Sequence, residues 1–467
     1  MLTKLKVLIV IILVASAFSS HAGASPAEWT VLVYLNADNN LEPDSLRNFA
    51  QMANVGSNDK VNVVVEFDRI AKYVHTNPDW ANTFRFLIKK DMLPLPFSST
   101  EDLGEVNMGS GSALKDFVSW GKSKYPAKKY MLIIWDHGQG WRKFAASLAA
   151  RKRVVEISRA VPLEINADSL KAASGVLRAT EGIATSDGVT APFRSAPGSS
   201  YRSVSNDETN GDVLYNREIA DALKAALGQE RIDVIGFDAC LMGMLESGYA
   251  FHEVAKYMVA SQELEPGAGW RYDTLLASLM SNPGQDGQSL AAATVNAYAT
   301  AYTDASPEGP ETTLSAVDLS KAKDLTAALS TLSDVLISKL DQELQAVIEA
   351  RAAISTYAPG LGFHHVDLYL FLQELRIRTQ DVSVRLAIDP VLTLLKQSVI
   401  ANHVGSARKG TYGSNGIAIY FPANLHDYRS DPYSEGGYER SNTYYPVKFV
   451  QDSKWTDFLH AYWARVP

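Results

Sequence analysis

Two residues with side chains suited to nucleophilic chemistry stand in equivalent positions along this chain. Cys240 follows the apolar run Ile232 to Phe237, and His137 follows the apolar run Tyr130 to Trp135. Each run is short, rich in branched or aromatic residues, and bounded by polar ones, which predicts a strand buried on both faces. A side chain just past the carboxyl end of such a strand lies at the rim of an open α/β sheet, where ligands bind. If the two strands run parallel in one sheet, His137 and Cys240 share that rim. An imidazole beside a thiol lowers the thiol pKa and later protonates a leaving amine. Taken alone, each residue has a plainer reading. A lone cysteine in apolar company is a small core residue, and a lone loop histidine is structural.

The elements that must position the pair follow from the same periodicities. Trp29 to Asn36 and Val61 to Asp68 read as two further buried strands. Thr83 to Ile88 alternates, which predicts a strand in a more exposed position. Helices are predicted over Leu41 to Met52, over Gly111 to Lys124 with Leu114, Phe117, Val118 and Trp120 inward, over Asn216 to Leu227, and from Leu241 onward. Tyr257 to Ser261 and Glu311 to Leu319 read as strands. Ser320 to Ala353, Asp367 to Arg378, Val382 to Ile400 and Trp455 to Trp463 read as helices, and Gly416 to Phe421 as a late strand returning to the sheet. Strands alternating with helices predict a mostly parallel sheet covered on both faces.

The 467 residues are 46% hydrophobic and 21% charged, ordinary values for a globular chain. A net charge of −8 argues against a nucleic-acid binder, which carries a basic footprint. Residues 1–24 read as a secretory signal peptide: Lys4 and Lys6, an apolar core from Val7 to Phe18, and Ala22-Gly23-Ala24 for cleavage. The expectation is an exported protein, periplasmic or secreted, with no membrane anchor after cleavage. Cys240 is the only cysteine, so it has no disulfide partner in its own chain. An unpaired thiol in an oxidising compartment must be buried or functional. Residues 25–319 form the expected catalytic region, interrupted by a long irregular insertion at about 142–210. Residues 320–467 form a helical C-terminal region with the late strand.

Several pieces occur in a fixed order from Trp29 to Pro422: WTVLVYLNADNNLE, LIIWDHGQGW, ETNGDVL, IDVIGFDACLMGMLE, EPGAGWRYD, ETTLSAVDLS and NGIAIYFP. In these pieces and their order the chain resembles the clostripain-like cysteine peptidases, relatives of gingipains, legumains and caspases. The resemblance implies a caspase-like α/β fold, here with an additional helical C-terminal region. It implies an exported cysteine endopeptidase that cleaves after Arg or Lys through a Cys-His dyad. By position, Cys240 matches the nucleophile and His137 the general acid/base. The backbone amides of Gly138 and Cys240 match the oxyanion hole, and glycine after the histidine lets the main chain approach the scissile carbonyl. Asp238 matches the acidic residue of the S1 pocket; its plainer reading is a cap on the following helix. Asp136 is a second group in reach of His137, although the family dyad does not require it.

Family members are often activated by cleavage between the two catalytic positions. Arg151, Lys152 and Arg153 are therefore the expected processing sites, with Arg178, Arg194 and Arg202 as lesser ones. No cofactor is required. Calcium enters by family analogy alone, because Asp207, Glu208 and Asp212 lack the spacing of an EF-hand loop. The expected partners are polypeptide substrates, not nucleic acid or membrane. Two other readings stand beside this one: a catalytically inactive caspase-like extracellular binding module, and a related cysteine peptidase with a non-basic P1 preference. Serine-hydrolase chemistry has no support, since the chain has no G-x-S-x-G elbow.

Overall fold

Apolar side chains on both faces of the central strands dictate a layered architecture, and the computed structural model has one. It describes residues 26–77, 79–141, 163–166, 204–358, 360–431, 437–442 and 446–466. The predicted signal peptide and the basic sites at 151–153, 178, 194 and 202 lie outside the described residues. The central sheet contains β1 (Ala27–Ala37), β2 (Val61–Arg69), β3 (Thr83–Leu87), β4 (Glu101–Asp102), β5 (Ala127–Trp135), β6 (Ile232–Asp238), β7 (Ala255–Ala260), β8 (Thr313–Asp318) and β9 (Val399–Val404). Their order is β9-β8-β7-β6-β5-β1-β2-β3-β4. The middle five, β7 to β2, are parallel. The outer pairs on both sides are antiparallel. From β1 the chain moves first to β2 on one side and later to β5 on the other. The β1/β5 junction is thus the switch point where α/β sheets open a crevice at their carboxyl ends.

Alternation along β1 divides the core. Val31, Val33 and Leu35 face a layer with Phe49 and Met52 of α1 (Glu42–Val55). Leu32 and Tyr34 face the opposite layer, with Leu114 and Phe117 of α2 (Gly111–Lys124) and Leu223 of α3 (Asn216–Leu227). That second layer runs without a break into the C-terminal region. It includes Leu329 and Leu336 of α7 (Ala322–Ala352), Phe371 of α8 (Leu368–Arg378), Val384 of α9 (Val382–Ser398) and Phe458 of α10 (Trp455–Trp463). The preceding helices are α4 (Leu245–Phe251), α5 (Tyr272–Ser281) and α6 (Gly287–Ala301). No described helix is long and apolar enough to cross a membrane.

Several expectations need correction. β3 is buried, not exposed: Phe84 and Phe86 are inside, and the polar position between them, Arg85, pairs with Glu66 at 2.7 Å. The alternation there marks a buried ion pair, covered by the Trp120 ring 4.5 Å from the guanidinium. Trp120 itself is half-buried, its indole N–H donating to Glu101 at 2.7 Å. The late strand, Ala418–Tyr420, does not return to the central sheet; it pairs with His365–Asp367 in a separate two-stranded sheet. The strand that does return is β9, read from sequence as the end of a helix. Val399-Ile400 is a β-branched pair that favours extended backbone, and β8 offers it an antiparallel edge. The helix predicted from Leu241 begins only at Leu245.

Candidate active site

The site is built from three adjacent strand ends. β1 ends beside Asn39 and Asn40, β5 beside Asp136 and His137, and β6 beside Ala239 and Cys240. Register places Trp135 opposite Asp238, so the two catalytic candidates leave neighbouring parallel strands at the same level. The closeness is sharpest at Gly138. A Cβ added there would lie 2.3 Å from the carbonyl oxygen of Cys240 and 2.9 Å from its amide nitrogen. Only glycine lets the histidine loop sit on the cysteine loop this closely.

Asp136 holds the backbone of the histidine loop. Its Oδ1 accepts from the His137 amide at 2.5 Å and from Asn39 Nδ2 at 2.9 Å. Its Oδ2 accepts from the amide of Asn206, in the segment leaving the insertion. That segment is part of the site: Val204 bridges to Gly138. The imidazole is buried, and its Nε2 lies 2.9 Å from Asn40 Oδ1. An amide oxygen there accepts a hydrogen bond from Nε2–H and so fixes the tautomer.

Cys240 is buried and followed by a strained turn. Leu241 has φ +61°, a left-handed conformation costly for a branched residue. The loop after β7 braces it: Leu241 N donates to Glu263 O at 3.1 Å, and Gly243 N to Ser261 O at 2.7 Å. The same loop reaches the thiol, because the Glu265 amide donates to Cys240 Sγ at 3.1 Å. Such a donor favours the thiolate over the thiol.

Asp238 is fully buried, and its Oδ2 accepts from Trp270 N at 3.2 Å and Tyr272 OH at 2.8 Å. It does not cap the next helix, whose N-cap position is Met244. The loop carrying its donors is pinned from two helices. Asn48 of α1 donates to Ala268 O at 2.9 Å, and Tyr302, just after α6, donates to Gly269 O at 2.8 Å. Burial, followed by the charges of Glu265, Tyr302, Asp238 and Cys240, pushes the Tyr298 phenol well above its usual range. Tyr298 therefore backs the same set of groups.

His137, Gly138, Asp238 and Cys240 thus come together as expected from sequence. Asn40, Asn39 and Glu265 were missed. Asn39-Asn40 is visible only as a polar strand end, and Glu265 only as part of a Pro/Gly loop; neither spacing names its partner. One prediction arises from the loop contact. Gly138→Ala forces a methyl group into Cys240 and should lower kcat/KM at least tenfold, with a drop in melting temperature, since overpacking costs about 1–3 kcal/mol. Steady-state kinetics and thermal unfolding check this, and an unimpaired variant would mean that the close approach is not needed.

Comparison with known proteins identifies a family and agrees with the fold. The model of the clostripain family matches residues 33–155 and 190–463, leaving out only the middle of the insertion and the chain ends. Clostripain of Hathewaya histolytica is 26% identical over 279 residues, 56% of this chain and 43% of that protein. The chain therefore spans less than half the length of that relative. A secreted C11 cysteine protease of Bacteroides thetaiotaomicron, solved with an irreversible peptide inhibitor, is similar at a TM-score of 0.58 and 19% identity, covering 92% of this chain and all of that one. An inactive zymogen C11 protease of Parabacteroides distasonis is similar at 0.56 and 16% identity, covering 93% and 99%. At these identities the structural likeness concerns the fold.

Proposed function

Since the chain belongs to the clostripain family, we propose that it is an exported cysteine endopeptidase that cuts polypeptides after Arg or Lys. The observation that carries this reading is the seating of Gly138 against the backbone of Cys240, which puts the histidine and cysteine loops in contact at one sheet rim. In this reading Cys240 gives its proton to Nδ1 of His137, because Nε2 is engaged by Asn40. The thiolate attacks the scissile carbonyl carbon, and the amides of Gly138 and Cys240 stabilise the oxyanion. His137 passes the proton to the leaving amine, the peptide bond breaks, and water then hydrolyses the thioester through the same imidazole.

Asp238 supplies the negative charge for the P1 side chain. Its support is positional: two residues before the nucleophile, buried, and held by Trp270 N and Tyr272 OH. Clostripain itself, at 26% identity, is the relative that favours basic specificity. Export fits both the leader-like residues 1–24 and the secreted relative from Bacteroides thetaiotaomicron. The test is hydrolysis of short reporter peptides with Arg, Lys, Asn or Asp at P1, by wild type and Cys240→Ala. Basic reporters should be cut by the wild type alone; an inert wild type would favour a binding module.

The same reading predicts self-processing. A peptidase that cuts after basic residues meets Arg151, Lys152 and Arg153 soon after its own His137. Purified wild type should be cleaved near this cluster while Cys240→Ala stays intact. The two pieces should remain together through the shared sheet, which β5 and β6 join across the insertion. Equal cleavage of both proteins under protease-free conditions, read by intact mass, would rule self-processing out.

A further inference from the structure

A cavity of about 530 Å³ lies between α3, α4 and residues 446–451, and neither His137 nor Cys240 lines it. Its wall still reaches both catalytic loops. Trp141 closes the run Asp136-His137-Gly138-Gln139-Gly140-Trp141, and Glu246 lies in the first turn of α4, directly after the cysteine turn.

Three polar atoms in that wall have no hydrogen-bond partner among the described residues. Glu246 is buried; its Oε1 accepts from Tyr420 N at 2.9 Å and from Tyr438 OH at 2.8 Å, while its Oε2 is left over. Asn216, the first residue of α3, donates from Nδ2 to Ser247 Oγ at 3.1 Å, and its buried Oδ1 is the second such atom. The indole N–H of Trp141 is the third. The Trp141 ring itself is held in place, packed on Tyr420 and Tyr438 at 4.8 and 4.7 Å. Buried polar atoms are nearly always paired, so three orphans on one cavity call for a ligand.

The carboxylate also wants a counter-charge. Arg217, Lys224 and Lys448 line the same cavity, but they pair with Asp221, Glu253 and Asp452, at 3.4, 3.5 and 2.9 Å. Burial pushes the Glu246 carboxyl up to about 7, against the hydrogen bonds from Tyr420 N and Tyr438 OH. A cation beside it would restore the ionised form.

We propose that this cavity binds an α-ammonium group with a carbonyl next to it, as carried by the amino terminus of a peptide or by a free amino acid. The two orphan acceptors, Glu246 Oε2 and Asn216 Oδ1, would take N–H bonds from the ammonium, whose charge would neutralise the carboxylate. The Trp141 indole is a donor only, and it would donate to the adjacent carbonyl oxygen. A bridging water satisfies such hydrogen bonds but not the charge, and it leaves most of the volume empty. In a peptidase the site would sense product, because every peptide bond cut frees a new amino terminus. That role rests on the peptidase reading; the binding does not.

The test uses the purified full chain and calorimetric titration with trialanine, which carries no basic residue to be cut after. Trialanine should bind once per chain. N-acetyl-trialanine should bind at least about tenfold more weakly, since the charged donor is lost. Ethylamine, an ammonium without a carbonyl, should also bind more weakly than trialanine. Free alanine distinguishes the sources: tighter binding than trialanine identifies an amino-acid site, and weaker binding a peptide-terminus site. Glu246→Gln keeps an acceptor for Tyr420 N and Tyr438 OH and removes a buried charge. It should melt no lower than wild type and lose at least about tenfold in affinity. Asn216→Ala, at a half-buried position, should weaken binding about threefold to tenfold. No saturable heat with any of the amines would overturn the proposal and leave a water-filled cavity. Equal affinity for trialanine and its acetylated form would overturn it as well. So would full wild-type affinity in both variants, which would place the peptide in the catalytic cleft instead. Binding rather than turnover is read, so an inert peptidase would leave a positive result standing.

Discussion

Cys240→Ala should remove all hydrolysis of basic reporter peptides, and His137→Ala should lower kcat by about 10²–10⁴-fold, the worth of acid/base assistance. The reason is geometric. The histidine and cysteine loops leave adjacent parallel strands at the same register and touch at Gly138. The thiol also accepts from the Glu265 amide, so part of its activation comes from the main chain and survives in His137→Ala. That variant should therefore react slowly with iodoacetamide, while wild type reacts fast and loses activity in step. Both substitutions should melt near the wild type, because neither disturbs a strand. Full activity after complete alkylation of Cys240 would remove the thiol from the mechanism.

Asp238→Asn should lower kcat/KM for Arg and Lys substrates by about 30-fold to several thousandfold. That range follows from the 2–5 kcal/mol lost when one partner of a desolvated charge pair is removed, at 1.4 kcal/mol per decade. Asparagine keeps an oxygen for Trp270 N and Tyr272 OH, so the local hydrogen bonds can persist. The thiol should still react with a small alkylating agent, and neutral P1 peptides should lose little. The helix-cap alternative no longer competes, since the helix starts at Leu245 with Met244 at its cap. Equal losses for basic and neutral P1 peptides would leave Asp238 as a structural carboxylate of the strand end.

The meeting of His137 and Cys240 at one rim was legible because strand ends are legible. The runs Ile232 to Phe237 and Tyr130 to Trp135 are largely apolar without alternation, so they read as central strands, and the residues after them had to reach the rim. Asp238 was singled out by its match to the family's S1 residue, and the structure places it buried at the end of β6. The turn at Leu241 was hidden because LMGML scans as helix; its left-handed residue is imposed by Glu263 and Ser261, far along the chain. Asn40 and Glu265 were hidden for the same reason: their partners are 97 and 25 residues away. β9 was lost to a true ambiguity, since its opening residues continue the apolar pattern of α9.

In the proposed reaction the thiol of Cys240 attacks a carbonyl presented by a basic residue. A peptide chloromethyl ketone ending in Arg tests this most directly: the thiolate displaces chloride, and the thioether is mapped by tandem mass spectrometry. One adduct per chain is expected, located on Cys240. Labelling should be absent from Cys240→Ala, slowed in His137→Ala, and faster with Arg or Lys than with a neutral residue at P1. A label on any other residue, or no label on the wild type, would contradict it.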